Sequence, residues 1–257
     1  MARSGGTVIC KCLGSLNNIV LLSEIHPLAK YVLGEEKKDR IWINPLNQAY
    51  AWFNLLSKED VLEIKNKNGI SFIDSIKLIY TRCQEKNKIL VIRDWNELDF
   101  IGLPWVPRAT YDLMLYNILN QDFNVIHTFT VRHPLDQWLS LRGLTSSLVK
   151  QLTPEVFLKG YLRFAEKAFS IGFTRYEDFT RQPDNELQIL SERLDIEYSE
   201  IYKTRWKNYR TITGDHNPRR GITEITPLPR KNMEKDLYQK FISNPDYLSA
   251  IKILGYE

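Results

Sequence analysis

The chain has little cysteine, no long apolar run and no Gly-Lys-Ser/Thr tripeptide, and each absence closes off a class of protein. Its three cysteines, Cys10, Cys12 and Cys83, are an odd number with no second pair at metal-ligand spacing, which argues against a disulfide framework and against a structural zinc site. No stretch approaches the ~20 apolar residues of a membrane span, and the N-terminus carries no apolar signal region, so the reading is a cytoplasmic protein without a membrane span. A net charge of +4 is too small to imply nucleic acid as a partner, though it suits an anionic ligand. With 43% hydrophobic and 26% charged residues, a chain of 257 residues makes one large domain with a sizeable core.

What is present begins at the N-terminus. Arg3-Ser4-Gly5-Gly6-Thr7 precedes the helix-compatible run Val8-Ile9-Cys10-Lys11-Cys12-Leu13. Two adjacent glycines let backbone N–H groups converge, Arg3 adds a fixed positive fork, Ser4 and Thr7 add hydroxyls, and a following helix adds its positive end. That combination is a cradle for a phosphate-like anion, or a glycine turn that merely starts a helix. Without Gly-Lys-Ser/Thr it is not a magnesium-dependent nucleotide-hydrolysing loop.

Further along, Asn18 to Glu24, Ile89 to Ile92, Asn124 to Val131 and Gly172 to Arg175 read as buried strands. Helices are expected from Pro45, after Ser57, from Ile70 to Gln84, Thr110 to Gln121, Pro134 to Leu141, Pro154 to Phe169 and Asn185 to Leu194. Strands alternating with helices predict a single α/β domain whose central sheet is mainly parallel and flanked by helices. From Thr213 to Arg230, five glycines and prolines preclude regular structure while Arg219, Arg220, Arg230 and Lys231 concentrate positive charge; this is a surface loop or a basic flap over an anion.

Ligands of open parallel sheets bind outside the carboxyl ends of the strands. That rule gathers the opening loop, Glu24 and His26, Arg93 and Asp94, Arg132 and His133, and Tyr176 onto one rim. Arg132 offers a bidentate fork to a phosphate, and Ser140, eight residues on, reaches the same phosphate from the helix that follows Pro134.

In this order the residues resemble the sulfotransferases that use 3′-phosphoadenosine 5′-phosphosulfate. Arg3-Ser4-Gly5-Gly6-Thr7 is similar to that family's 5′-phosphosulfate loop, with Arg where cytosolic members carry Lys. Val131-Arg132-His133-Pro134-Leu135-Asp136-Gln137-Trp138-Leu139-Ser140 is similar to its 3′-phosphate motif. Tyr176-Glu177-Asp178 resembles the segment whose Tyr lies by the adenine, and Arg219-Arg220-Gly221 the late basic loop that closes on the 3′-phosphate. The resemblance implies a P-loop-NTPase-like fold and sulfuryl transfer, without a metal, to a hydroxyl or amine of a small-molecule or carbohydrate acceptor. Among the tryptophans, Trp42, Trp52, Trp95 and Trp105 are candidates for an acceptor cleft or for packing.

The general base implied is Glu24, 21 residues after Arg3, with Glu24-Ile25-His26 similar to the Glu-Val-His of members that act on carbohydrate or tyrosine hydroxyls. Asp94 is the rival, at the end of the strand where phenol- and steroid-sulfating members place a His; its alternative is a pairing with Arg93. In the family the phosphosulfate loop follows a central strand, whereas only Met1 and Ala2 precede Arg3, so that strand is expected to be missing here. Two other classes share much of the pattern: a small-molecule kinase, and a non-catalytic nucleotide-binding protein with a truncated loop.

Overall fold

Gly5, in the left-handed region at φ 85°, turns the chain into the first helix, α1 (Gly6–Gly14), whose start has no side-chain cap. The computed structural model describes residues 1–29, 43–66, 69–103, 106–144, 150–214 and 224–256. Within them the expected elements recur with shifted ends. Helix α1 leads into β1 (Ile19–Ile25), and helix α2 (Phe72–Glu85) into β2 (Ile89–Asp94). Next come β3 (Phe129–Val131), helix α3 (Pro134–Arg142), helix α4 (Pro154–Ile171) and β4 (Phe173–Arg175).

Alternation along β1 decides how its two faces are covered. Leu21 joins Ile9, Leu13 and Leu190 on one side, while Val20 and Leu22 join Leu56, Ile76 and Ile79 on the other. Each such burial contributes ~1.5–3 kcal/mol. Helix α2 is begun by Ser71, whose side chain accepts from the Asp74 amide, and it turns Ile76, Ile79 and Cys83 inward at helical spacing. All three cysteines are buried and unpaired.

A second core surrounds β3 and α4. Thr153 and Pro154 start α4, and Phe157, Tyr161, Phe164 and Ala168 form its inner stripe. Gly160 is required where the segment from Glu97 crosses this helix, because a Cβ there would stand 2.1 Å from the Phe100 carbonyl oxygen.

The sheet differs from expectation. All ladders are parallel, but they form two separate pairs, β1 with β2 and β3 with β4. Of the strand expected from Asn124 to Val131, only Phe129 to Val131 makes a ladder. Residues 124–128 have the side chains of a strand but no ladder partner among the described residues, and propensity alone does not hold a strand. For the same reason β2, expected to be buried, is half-exposed, with Ile89 at 40%. The helix expected from Thr110 shortens to Met114–Leu119 because Tyr111 sits at φ 59°. No helix among the described residues is long and apolar enough to cross a membrane.

Candidate functional site

The opening loop and the Arg132 to Ser140 segment, more than a hundred residues apart, are bound to each other. Arg3 Nε donates to Ser140 Oγ at 2.9 Å, and Arg132 donates to the Arg3 carbonyl at 3.3 Å. Gln137 Nε2 donates to the Ala2 carbonyl at 2.6 Å, and the Ser4 and Thr130 hydroxyls lie 3.1 Å apart. Arg3 (φ 63°) and Gly5 (φ 85°) are both left-handed, the alternation that turns successive backbone N–H groups toward one point. For Arg3 this conformation is strained, and the bonds around it hold it there.

Tyr176 packs directly on the loop: a Cβ on Gly5 would lie 2.0 Å from its Cδ2. The Arg132 guanidinium sits 4.7 Å from the centroid of the same ring. The Arg132 carbonyl accepts from the Tyr161 hydroxyl, which fixes the strand end from within the second core. Arg132 Nε is shielded from solvent with no hydrogen-bond partner among the described residues, so the donor set fits an anion acceptor.

Glu24 reaches the loop through a bulge. Ser23 pairs with Arg93 and Ile25 with Asp94, leaving Glu24 as the extra residue, at φ 57°. Its Oε1 is 3.3 Å from Arg93. A Cβ on Gly214 would lie 3.2 Å from that same oxygen and 3.4 Å from Thr7 Oγ1, so carboxylate, loop hydroxyl and the 213–214 backbone converge. The Ser23 and Thr213 hydroxyls are 2.7 Å apart, and Arg93 donates to the Thr213 carbonyl at 3.3 Å. Arg93 also lines the start of α1, 3.5 Å from where a Gly6 Cβ would stand.

The other expected catalytic residues face elsewhere. His26 is buried, with the Leu28 amide donating to Nδ1 at 3.1 Å and Nε2 3.2 Å from Asp99 Oδ1, which places the ring proton on Nε2, toward Asp99. Asp94 follows Arg93 on the opposite side of β2; burial pushes its carboxyl well above the usual range, and Asp99 adds to the shift. Burial likewise raises Glu97. Arg93 pairs with Glu24, not with Asp94, which corrects the expected alternative. Trp138 lies in the core, Trp52 and Trp95 are half-buried, and Trp42, Trp105, Arg219, Arg220 and Gly221 lie outside the described residues.

Sequence reasoning missed Thr130, Gln137, Ser23 and Thr213. Thr130 is recoverable in retrospect, being two residues before Arg132 and therefore on the same face of its strand. The other three act through pairings of long separation that no local pattern announces.

No family model matches the sequence, and no curated protein is significantly similar to it. Among solved structures, the chain is similar to a sulfotransferase domain from the curacin biosynthetic pathway, with a TM-score of 0.58 and 15% identity, over 100% of this chain and 95% of that one. At that identity the likeness is one of fold: the chain has the fold of a sulfotransferase domain.

Proposed function

We propose that the chain transfers a sulfuryl group from 3′-phosphoadenosine 5′-phosphosulfate to a hydroxyl or amine of a small-molecule or carbohydrate acceptor, with Glu24 as general base. The observation that carries this reading is the joining of the Arg3 to Thr7 loop with Arg132 and Ser140, two anion-binding groups of different origin bonded into one surface beside a strained carboxylate. A sulfotransferase fold supports it.

In this reading the loop amides and Arg3 hold the 5′-phosphate, Arg132 and Ser140 hold the 3′-phosphate, and Tyr176 borders the adenine. Arg219, Arg220 and Gly221, which lie outside the described residues, are assigned to the 3′-phosphate by their sequence resemblance alone. The acceptor O–H bond breaks as its oxygen bonds to sulfur, and the proton passes to Glu24. The S–O bond to the 5′-phosphate breaks, leaving adenosine 3′,5′-bisphosphate, and the negative charge growing on the bridging oxygen is met by Arg3, the loop amides and the positive end of α1. Arg93 pairs with Glu24 and aims it at the loop. His26, held by Asp99, is a positioning residue beneath the bulge, and Asp94 is the rival base.

The test is transfer of radiolabelled sulfuryl from the donor into a library of hydroxyl and amine acceptors, with the Arg3→Ala chain as control and ATP as competing nucleotide. Transfer that depends on Arg3 is expected. Binding of adenosine 3′,5′-bisphosphate with no transfer to any acceptor would point to a non-catalytic binding protein, and phosphoryl transfer from ATP to a kinase.

A further inference from the structure

The peptide that joins Arg132 to His133 lies between elements: β3 has ended at Val131 and α3 starts at Pro134. Neither a ladder nor a helix serves its amide N–H, and His133 is only 3% exposed. A buried peptide in that position must find side chains. The Arg132 carbonyl accepts from the Tyr161 hydroxyl of α4, and the His133 N–H donates to Glu177 Oε1 at 2.9 Å. The peptide is gripped from both sides.

Glu177 directly follows Tyr176, so two neighbouring side chains meet two neighbouring residues. The Tyr176 ring lies against the Arg132 guanidinium, and the Glu177 carboxylate holds the next amide. Turning this peptide would swing the Arg132 fork away from the Tyr176 ring and from the Arg3 carbonyl. One backbone hydrogen bond thus governs where a cation points.

The second oxygen of Glu177 has its own partner, the Tyr256 hydroxyl, which donates to Oε2 at 2.9 Å. Tyr256 follows helix α5 (Pro245–Ile253), which enters the second core through Tyr247 and Ala250. How that helix stops decides where Tyr256 goes. Gly255 is left-handed at φ 67°, its amide bonds to the Lys252 carbonyl and the Tyr256 amide bonds to the Ile251 carbonyl, the paired bonds of a glycine stop. Arg175 donates to the Gly255 carbonyl at 2.7 Å, and its guanidinium stands 5.7 Å from the centroid of the Tyr256 ring. The His133 ring meets the same tyrosine edge-on, with centroids 5.1 Å apart.

We propose that Glu177 and Tyr256 are positioning residues for the Arg132 fork, a relay from α5 through a carboxylate and a backbone amide. Docking of α5 and binding of a phosphate monoester at Arg132 then favour each other. The inference rests on the donor site proposed above, in which Arg132 holds the 3′-phosphate. Linkage of this kind is reciprocal: loosening Tyr256 weakens the anion's hold, and the anion tightens α5.

The test compares the wild-type chain with Glu177→Ala, Glu177→Gln and Tyr256→Phe. Calorimetric titration reads the affinities for adenosine 3′,5′-bisphosphate and adenosine 5′-phosphate. Phenylglyoxal labelling of Arg132, followed by mass spectrometry without nucleotide, reads the hold on the fork itself. Glu177→Ala is expected to weaken the bisphosphate about tenfold or more and adenosine 5′-phosphate by no more than about twofold. Glu177→Gln still offers an oxygen to the His133 N–H and should restore affinity to within about threefold of wild type. Tyr256→Phe, which keeps the ring and the fold, should cost about threefold for the bisphosphate alone. Labelling of Arg132 should quicken about fivefold in Glu177→Ala and stay slow in Glu177→Gln. Equal losses for the two nucleotides, or labelling that quickens evenly at all arginines, would make Glu177 a support of the whole fold and overturn the proposal. Unchanged bisphosphate affinity in either Glu177→Ala or Tyr256→Phe overturns it as well. Should the wild-type chain bind neither nucleotide, the donor reading falls by itself, and the contrast in Arg132 labelling between Glu177→Ala and Glu177→Gln decides the relay.

Discussion

The guanidinium of Arg3 donates to the hydroxyl of Ser140 at 2.9 Å across 137 residues of sequence. Arg132 closes the loop from the other side by donating to the Arg3 carbonyl. The two halves of the proposed donor site therefore share their hydrogen bonds, and a change in one half is felt in the other.

Arg132→Ala is expected to weaken binding of adenosine 3′,5′-bisphosphate by about 2 to 4 kcal/mol, the worth of a bidentate, charge-assisted contact. Adenosine 5′-phosphate, which has no 3′-phosphate, should lose far less. Calorimetric titration of both ligands decides the matter: equal losses would make Arg132 a support for the loop and for Tyr176 only.

Gly5→Ala should cost more than its single methyl suggests. The residue sits at φ 85°, and the new Cβ would overlap the Tyr176 ring at 2.0 Å. Strain and displacement together are expected to cost about 2 kcal/mol or more. Adding Tyr176→Ala should recover the packing part and leave the backbone part, which a double-mutant cycle of chemical denaturation measures.

Much of this was legible in the sequence, and the reasons are local. The run Asn18 to Glu24 announces β1 because a strand buried on both faces must be apolar throughout. Thr153-Pro154 announces α4 because cap and first-turn chemistry is written in adjacent residues. The strand-end rule gathers Glu24, Arg132 and Tyr176 onto one rim, and the ring of Tyr176 does lie against both Gly5 and Arg132. What stayed hidden depends on partners distant in sequence. Nothing in Ser23-Glu24-Ile25 signals a bulge, yet the bulge turns Glu24 to Arg93. Nothing in Asn124 to Thr128 says that it finds no ladder partner among the described residues, so a good strand sequence goes unpaired there.

His133 makes stability depend on pH. Burial, aided by Arg230 and opposed by Asp136 3.9 Å away, lowers its pKa from 6.5 to about 4. Between those values the unfolded chain takes up a proton that the folded chain refuses, so stability falls as pH drops from 6.5 to 4 and the loss is complete below 4. The ring lies edge-on to Tyr256 and neither of its nitrogens is hydrogen-bonded among the described residues, so His133→Phe should fit the space. Between pH 7 and pH 4.5, Tm of the wild-type chain is expected to fall by roughly 5 °C more than that of the variant. Parallel curves would remove His133 as the cause.

The last prediction separates the two carboxylates at the strand ends. Glu24 is held at the loop by Arg93, within reach of Thr7 and Gly214, whereas burial leaves Asp94 with its carboxyl raised well above the usual range and turned away. A general base must stand where the acceptor meets the donor, and Glu24, bulged out beside the loop, has that position by geometry. Glu24→Gln keeps the shape and should lower turnover by a factor of roughly 10² to 10⁴ while bisphosphate affinity stays within about twofold. Asp94→Asn should leave turnover nearly intact, because the group is buried on the other side of β2, away from the loop. Arg93→Met adds a third readout. Without Arg93, Glu24 loses the partner that holds it at the loop, so turnover should fall, though less than in Glu24→Gln, while bisphosphate affinity stays within about twofold. Unchanged turnover in Arg93→Met would mean that Arg93 does not position Glu24, and near-full single-turnover rates in Glu24→Gln with none in Asp94→Asn would transfer the role of base to Asp94 and place the acceptor beside β2.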